Sequence, residues 1–373
     1  MSVFFLDIGA QHTKLKKEIT SAINRVIKKG DFILGDELSN FEKEFAAFCK
    51  VKYAVGVSSG TAALFLALKA LDIKEGDEVI LPVFTFIATA LAVTYTGAKP
   101  VFMDIDEKTY NLDVKKVRGA INKNTKAIIP VHLYGHPADM NGISRIAREY
   151  HLRVVEDAAQ AHGATINMHG KDWVPVGGLS DAGCFSFYPT KNLGGMGDGG
   201  IITTNSEEIY KKLLMLRDYG RVSRYEHIIV GYNSRLDTLQ AAVLRVKLKR
   251  LEEWNRLRQK AASIYSRLLP DKEVILPFVQ SWARHVYHTY AIRVKAREGV
   301  LRKLKERKIG FMIYYPIPLH LQKVYQELGY KKGDFPVAEK ISEEILSIPL
   351  YPYIKENQLK KVAEAIREGL TTE

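Results

Sequence analysis

Three short runs carry side chains that could do chemistry together. Ser186-Phe187-Tyr188-Pro189-Thr190-Lys191-Asn192-Leu193-Gly194-Gly195 sets a lysine in a turn between a β-rich run and a glycine pair. A lysine withdrawn from water loses basicity, and its free amine becomes a nucleophile able to form a Schiff base. A solvated loop lysine is the plain alternative. Glu156-Asp157-Ala158-Ala159-Gln160 ends the apolar run that starts at Arg153. The carboxyl end of a strand in an open α/β sheet is where ligands bind. There Asp157 could hold a cationic ring nitrogen, with Gln160 hydrogen-bonding nearby, or Asp157 could cap a helix. Ser58-Ser59-Gly60-Thr61 separates a β-rich run at 53–57 from a helical pattern at 61–71. Backbone N–H groups at a helix start attract an anion, and glycine permits its close approach. A serine N-cap with a turn glycine accounts for the same letters without a ligand.

Taken together, a phosphate cradle, a carboxylate for a pyridinium nitrogen and a Schiff-base lysine are what pyridoxal 5'-phosphate requires. Phe86 follows the run at 78–82 and either stacks on such a ring or fills the core. Gly195, Gly197 and Gly200 match the spacing of a dinucleotide fingerprint, but Ile201-Ile202-Thr203-Thr204 after them reads as a strand, where the fingerprint needs a helix. The chain shows no P-loop, zincin or nucleophile-elbow motif, and no metal-ligand spacing.

The elements that must position these groups alternate along the chain. Strands are expected at 53–57, 78–82, 99–105, 126–132, 153–157, 184–188 and 199–204, with helices at 61–71, 86–96, 113–121 and 139–150 between them. Near-continuous apolar strands separated by helices predict an α/β fold with a mostly parallel sheet. The last two strands have no helix between them, so one should run antiparallel. Amphipathic helices precede the alternation at 12–28 and 38–49. After 205 the pattern predicts a helix to 218, one long helix from Arg235 to 267, strands at 287–295 and 311–315, and helices at 298–307 and 356–369. The expected domains are a large one over 12–250 and a smaller C-terminal α/β domain over 251–373, with residues 1–11 packed on the latter.

The 373 residues are 46% hydrophobic and 26% charged, ordinary for a globular chain with a large core. Cys49 and Cys184 are too few and too distant for a disulfide framework or a thiolate zinc site, which suits a reducing compartment. No apolar run is long enough to span a membrane, and the N-terminus lacks the basic start of a signal peptide, so a cytoplasmic protein without membrane contact is expected. The net charge of +13 is spread along helical stretches rather than gathered in a block with aromatics. It reads as a solvated surface suited to a small anionic substrate, and nucleic acid is not an expected partner.

Over essentially its whole length the sequence resembles the DegT/DnrJ/EryC1/StrS family of PLP-dependent sugar aminotransferases. The resemblance rests on the runs at 32–48, 58–68, 77–90, 130–140, 154–164, 185–200 and 231–242. It implies the aspartate-aminotransferase (fold type I) architecture, with a seven-stranded mixed sheet in the large domain. It implies that Lys191 is the Schiff-base lysine and proton carrier, that Asp157 pairs the pyridine nitrogen, and that Gln160 contacts the ring hydroxyl. Gly60, Thr61 and Ser186 would hold the phosphate, and Phe86 would stack on the ring where many members carry Trp. Asn233 from a neighbouring subunit would complete the phosphate site, making a homodimer with shared sites. Arg235 would meet the carboxylate of the amino donor, L-glutamate. Tyr188, Tyr314, Tyr315 and His320 would lie near the sugar, and Arg224 and Tyr225 near its diphosphate from the partner subunit; His162 and His288 are read as structural.

Members with histidine in place of the lysine act as dehydratases, a branch that Lys191 disfavours. Tyr188-Pro189, Gly197-Asp198-Gly199-Gly200 and the stretch 244–255 are similar to enzymes that aminate C3 of a dTDP-3-keto-6-deoxyhexose. Amination of a UDP- or dTDP-4-keto sugar is the alternative. A non-enzymatic regulator on the same fold is a further one.

Overall fold

The computed structural model describes residues 2–168, 170 and 172–371. Seven strands form the main sheet: β1 (Tyr53–Val57), β2 (Glu78–Pro82), β3 (Lys99–Met103), β4 (Thr125–Ile128), β5 (Arg153–Asp157), β8 (Ala182–Ser186) and β9 (Gly200–Thr204), in the order β1-β9-β8-β5-β4-β2-β3. β6 (Thr165–Met168) and β7 (Asp172–Pro175) form a hairpin outside it, joined by the short β11 (Ala283–Arg284). The pairs β2–β3, β2–β4, β4–β5 and β5–β8 are parallel, and β9 is antiparallel to both β1 and β8. Parallel neighbours need a crossover, and the β8–β9 segment contains no helix, so the chain can only turn back. Because β9 alone is reversed, the carboxyl ends of β1, β2, β4, β5 and β8 meet at one edge. The Ser58–Thr61, Phe86, Asp157–Gln160 and Ser186–Gly195 runs each stand at or just after one of those ends.

Burial explains the strand composition. Val79, Ile80 and Leu81 of β2, and Ala127 and Ile128 of β4, are fully covered. The helix Gly60–Ala70 packs against β8 and β9, and Asp36–Phe48 packs against β1. The first helix, Ile8–Lys29, begins earlier than its apolar period predicts. Asp7 caps it by accepting from Ala10 N at 2.9 Å, and Gly30 ends it at φ 77°.

A second antiparallel sheet, β10 (Val274–Ile275), β12 (Tyr290–Val294) and β13 (Ile345–Ile348), is ordered β10-β12-β13. The helices Leu251–Leu268, Arg297–Glu306 and Glu356–Leu370 share a core with it, in which Tyr265, Leu304, Leu346 and Ile366 are buried. Val3 joins that core and bridges Ile309. The chain after 251 also returns to the large sheet: Leu319, Tyr325, Phe335 and Ile341 are buried in its core.

Three elements differ from expectation. The long helix is two, Thr238–Leu248 and Leu251–Leu268, broken at Lys249 and Arg250. Its halves serve different cores, since Ala241 and Leu244 pack under the large sheet and Ala261 and Tyr265 under the small one. The strand expected at 311–315 is reduced to a bridge between Met312 and Ser347, because the chain then leaves the sheet and carries Tyr314 and Tyr315 to the cavity. The helix expected at 113–121 is one turn, Val114–Val117, followed by a 3₁₀ turn. No helix among the described residues is long and apolar enough to cross a membrane.

Candidate active site

The meeting strand ends enclose a cavity of about 380 Å³. Ser59, Gly60 and Thr61 come from the end of β1, Thr85 and Phe86 from β2, and Val131 from beyond β4. Asp157 and Gln160 come from β5, and Ser186, Tyr188, Thr190 and Lys191 from β8. His288, Tyr314 and Tyr315 close it from the C-terminal part. A wider, open groove of about 1050 Å³ runs along Arg148, His151 and Asn205, but it holds none of the candidate residues.

At one end Ser59 caps the helix Gly60–Ala70 by accepting from Ala62 N at 3.1 Å. The first N–H groups of a helix have no intrahelical partner, which leaves those of Gly60 and Thr61 at the cavity wall. A Cβ on Gly60 would lie 2.6 Å from Ser186 Cβ, so only glycine lets the helix start approach β8 this closely. This cradle fits a phosphate. Gly60→Ala is expected to weaken uptake of pyridoxal phosphate by the cofactor-free chain at least about tenfold, roughly 1.4 kcal/mol, as read by fluorescence titration.

Asp157 lines the cavity and is 6% exposed. Its Oδ2 accepts from Thr89 Oγ1 at 2.8 Å and its Oδ1 from Ala159 N at 3.1 Å. Burial pushes its pKa up, against the pull of these two donors and the Lys191 charge. Phe86 presents a ring 54% exposed, 6.0 Å from the Tyr315 ring. Gln160 accepts from Tyr134 N at 2.7 Å and donates to the Tyr315 hydroxyl at 3.1 Å, which fixes its amide orientation.

Lys191 sits in a tight turn, its N–H bonded to Tyr188 O at 2.9 Å. Gly194 is pressed against that turn, and a Cβ there would lie 2.4 Å from Pro189 O. Burial lowers the Lys191 pKa to about 8, with Asp157 acting in the opposite sense. A lysine so placed is a nucleophile and proton carrier near neutral pH.

The next residue is bolted down. Asn255 Nδ2 donates to His162 O at 2.8 Å, so Asn255 Oδ1 faces Asn192 and takes its Nδ2 hydrogen at 2.9 Å. Asn192 Nδ2 also donates to Val286 O at 3.1 Å. Asn192 Oδ1 therefore faces His288 Nδ1 at 3.3 Å, and that nitrogen must carry the hydrogen. His288 is neutral, since burial and then the Lys191 charge hold its pKa well below the usual histidine value. His288 read as structural from sequence, yet it lines the cavity; it falls inside the strand expected over 287–295, but the observed strand starts only at Tyr290. His162 does not line it: its ring packs against Phe185 and Phe187, and burial holds its pKa near 3.

Glu156 is the other residue the motifs hid. Fully buried behind Asp157, it accepts from Gly177 N, Leu179 N, Ser180 Oγ and His132 Nε2 at 2.8–3.0 Å. His132 Nδ1 accepts from Ala138 N, so its Nε2 carries the hydrogen. These bonds tie the chain at 177–180 to β5 and stiffen the strand that presents Asp157.

His320 requires a correction. It is buried away from the cavity, with Nε2 3.0 Å from Glu339 Oε1 and its ring 4.8 Å from Phe335. A histidine committed to a carboxylate in the core is a packing element here, not a sugar contact. Arg224, Tyr225 and Asn233 are exposed and outside this chain's cavity. Arg235 also lies outside it, donating to Asp218 Oδ1 at 3.0 Å and stacked over Tyr219.

The DegT/DnrJ/EryC1/StrS aminotransferase family model matches residues 13–367. The chain is 46% identical to a pleiotropic regulatory protein of Geobacillus stearothermophilus, over 99% of this chain and 98% of that one. It is 45% identical to a UDP-N-acetyl-3-dehydro-alpha-D-glucosamine 3-aminotransferase of Acidithiobacillus ferrooxidans, over 98% and 97% of the two chains. It is equally 45% identical to a dTDP-3-amino-3,6-dideoxy-alpha-D-galactopyranose transaminase of Aneurinibacillus thermoaerophilus, over 97% and 98%. Among solved structures, S. venezuelae DesV in complex with a ketimine intermediate superposes with a TM-score of 0.95, at 42% identity over 100% and 99% of the two chains.

Proposed function

This chain belongs to the DegT/DnrJ/EryC1/StrS aminotransferase family, and we propose that it carries the amino group of L-glutamate to C3 of a dTDP-3-keto-6-deoxyhexose. One observation carries the aminotransferase reading. A buried lysine with lowered basicity and a buried carboxylate share a cavity with a glycine-cleared helix start. When bound, pyridoxal phosphate supplies a carbonyl carbon that carries the amino group between substrates, and a cationic ring that draws off the electron pair of the breaking C–H bond.

The chain's own residues do the rest. The N–H groups of Gly60 and Thr61, with the Ser186 hydroxyl, bind the phosphate. Asp157 keeps positive charge on the ring nitrogen, Gln160 orients the ring hydroxyl, and Phe86 covers one ring face and excludes water. Lys191 Nζ takes the proton from the α-carbon of glutamate and, in the second half-reaction, returns a proton to the sugar carbon that receives the amine. A proton affinity near neutral suits both directions, because each step needs the opposite protonation state of one amine.

Tyr188 and Tyr314, at the cavity wall, are the proposed sugar contacts. Arg235, oriented by Asp218 and with Nε unpartnered among the described residues, stands outside this chain's cavity, so its proposed part is to meet the glutamate carboxylate in the neighbouring cavity of a homodimer. The active form is a homodimer in which Asn233, Arg224 and Tyr225 serve the neighbouring cavity. The exposed apolar side chains of the same loop support this, since Tyr225 and Val230 are both 82% exposed.

The dTDP and C3 assignments rest on Tyr188-Pro189 and the Gly197–Gly200 run. Relatives of equal identity act on UDP and on dTDP sugars, so the nucleotide is tested directly. The enzyme is incubated with L-glutamate and the 3-keto and 4-keto sugars of both nucleotides, and the products are assigned by NMR. Amination at C3 of the dTDP sugar is expected to be fastest; a faster UDP substrate, or amination at C4, overturns that part.

A further inference from the structure

Beside Asp157 two threonine hydroxyls stand in line, Thr85 at the cavity wall and Thr89 deeper, and neither was given a role above. Thr89, fully buried in the first turn of the helix Ile87–Thr94, lies 2.8 Å from Asp157 Oδ2, and Thr85 Oγ1 lies 3.1 Å from Thr89 Oγ1. An ionised carboxylate can only accept. The Thr89 hydrogen must then point at Oδ2, and the Thr89 oxygen is free to take the hydrogen of Thr85. With Ala159 N–H on Oδ1, each carboxylate oxygen takes one donor from the chain and keeps a lone pair for a group in the cavity that Asp157 lines. A protonated Asp157 would reverse the first bond and turn a donor, not an acceptor, into the line.

We propose that Thr89, backed by Thr85, is the positioning residue that holds Asp157 as a charged acceptor aimed at the cofactor's ring nitrogen. This rests on the aminotransferase reading above. The other titratable groups facing Asp157 are Lys191, His132, Cys184 and Tyr315. His132 is engaged by Glu156 and the Ala138 N–H, and Tyr315 by Gln160. Thr89 is thus the one side chain among the described residues that donates to this carboxylate.

The test compares wild-type holoenzyme with Thr89→Val, Thr89→Ser and Thr85→Val. Valine keeps the shape and removes the hydroxyl; serine keeps the hydroxyl. Three quantities are read: the dissociation constant for pyridoxal phosphate, the pH midpoint of the visible absorbance band, and kcat and KM for the glutamate half-reaction. A hydrogen bond to a charged group is worth enough that Thr89→Val should weaken cofactor binding by about ten- to a hundredfold. Its band midpoint should move up, because a less cationic ring lets the Lys191 nitrogen keep its proton to higher pH. Its kcat should fall with KM for glutamate unchanged. Thr89→Ser should restore all three, and Thr85→Val should shift them in the same sense by less.

A Thr89→Val enzyme with wild-type cofactor affinity and midpoint overturns the inference, as does a serine variant no better than valine. If Thr89→Val does not fold, Thr85→Val decides: a displaced midpoint supports the inference and an unchanged one overturns it. A wild-type protein that takes up no cofactor refutes the aminotransferase reading and this inference with it. A responsive wild type matched by Thr89→Val refutes the inference alone.

Discussion

Replacing Lys191 with alanine is expected to abolish transamination, with turnover falling by more than about 10⁴-fold, while the fold persists. On the proposed reading the amine is both the attachment point and the proton carrier, and general acid–base transfer alone contributes about 10²–10⁴. Stability should not fall, because the lost group is a buried amine whose charged form is disfavoured by desolvation. 2-Oxoglutarate release and a thermal melt read the two sides. A variant that melts normally and still turns over at a tenth of the wild-type rate contradicts the assignment. The pH behaviour is a separate check. The Lys191 pKa is lowered from 10.5 to about 8, so its reactive free-amine fraction rises through pH 8, well before an ordinary lysine. Acylation of Lys191 in the cofactor-free chain, followed by mass spectrometry, should show a midpoint near 8; one near 10.5 would mean the amine is solvated.

Asp157→Asn is expected to cost about 10²–10³ in kcat, the scale for losing one preorganised electrostatic partner of a charge in the transition state. Asparagine keeps the size and one acceptor oxygen but cannot hold the positive charge of a ring nitrogen. Removing a buried carboxylate also removes its desolvation cost, so the melting temperature of the cofactor-free chain should hold or rise. Cofactor affinity should drop with kcat, because the same contact serves both. Single-turnover rates with L-glutamate measure the effect. An Asp157→Asn enzyme within threefold of wild type would mean that the ring nitrogen is held elsewhere.

The candidate site was legible wherever a cavity residue stands at the end of an apolar strand. Gly60, Phe86, Asp157, Ser186 and Lys191 all follow such runs, and the sheet order brings those ends together. Reversal of one late strand was legible too, from a connection with no room for a crossover helix. Side chains reaching the cavity from non-repetitive backbone were harder to read. His288 reaches the cavity from irregular backbone just before β12, and its ring is held by a relay through Asn192 and Asn255 that joins residues distant in sequence. His320 illustrates the converse, since its neighbours Tyr314 and Tyr315 line the cavity while it turns inward to Glu339. Sequence proximity does not tell which way a side chain faces when the backbone has no period. Glu156 and Thr89 act from behind the cavity wall, where burial and bond direction carry the information. The break at Lys249–Arg250 has no glycine or proline to announce it; the division appears only when the two cores are seen.

The most direct measurement of the central claim is the absorbance spectrum of the protein loaded with pyridoxal phosphate, before and after L-glutamate. The account predicts a visible band that bleaches on adding glutamate, with one equivalent of 2-oxoglutarate released per site, and that returns when a nucleotide keto sugar is supplied. A protein that takes up no cofactor, or a band that glutamate leaves unchanged, would contradict it.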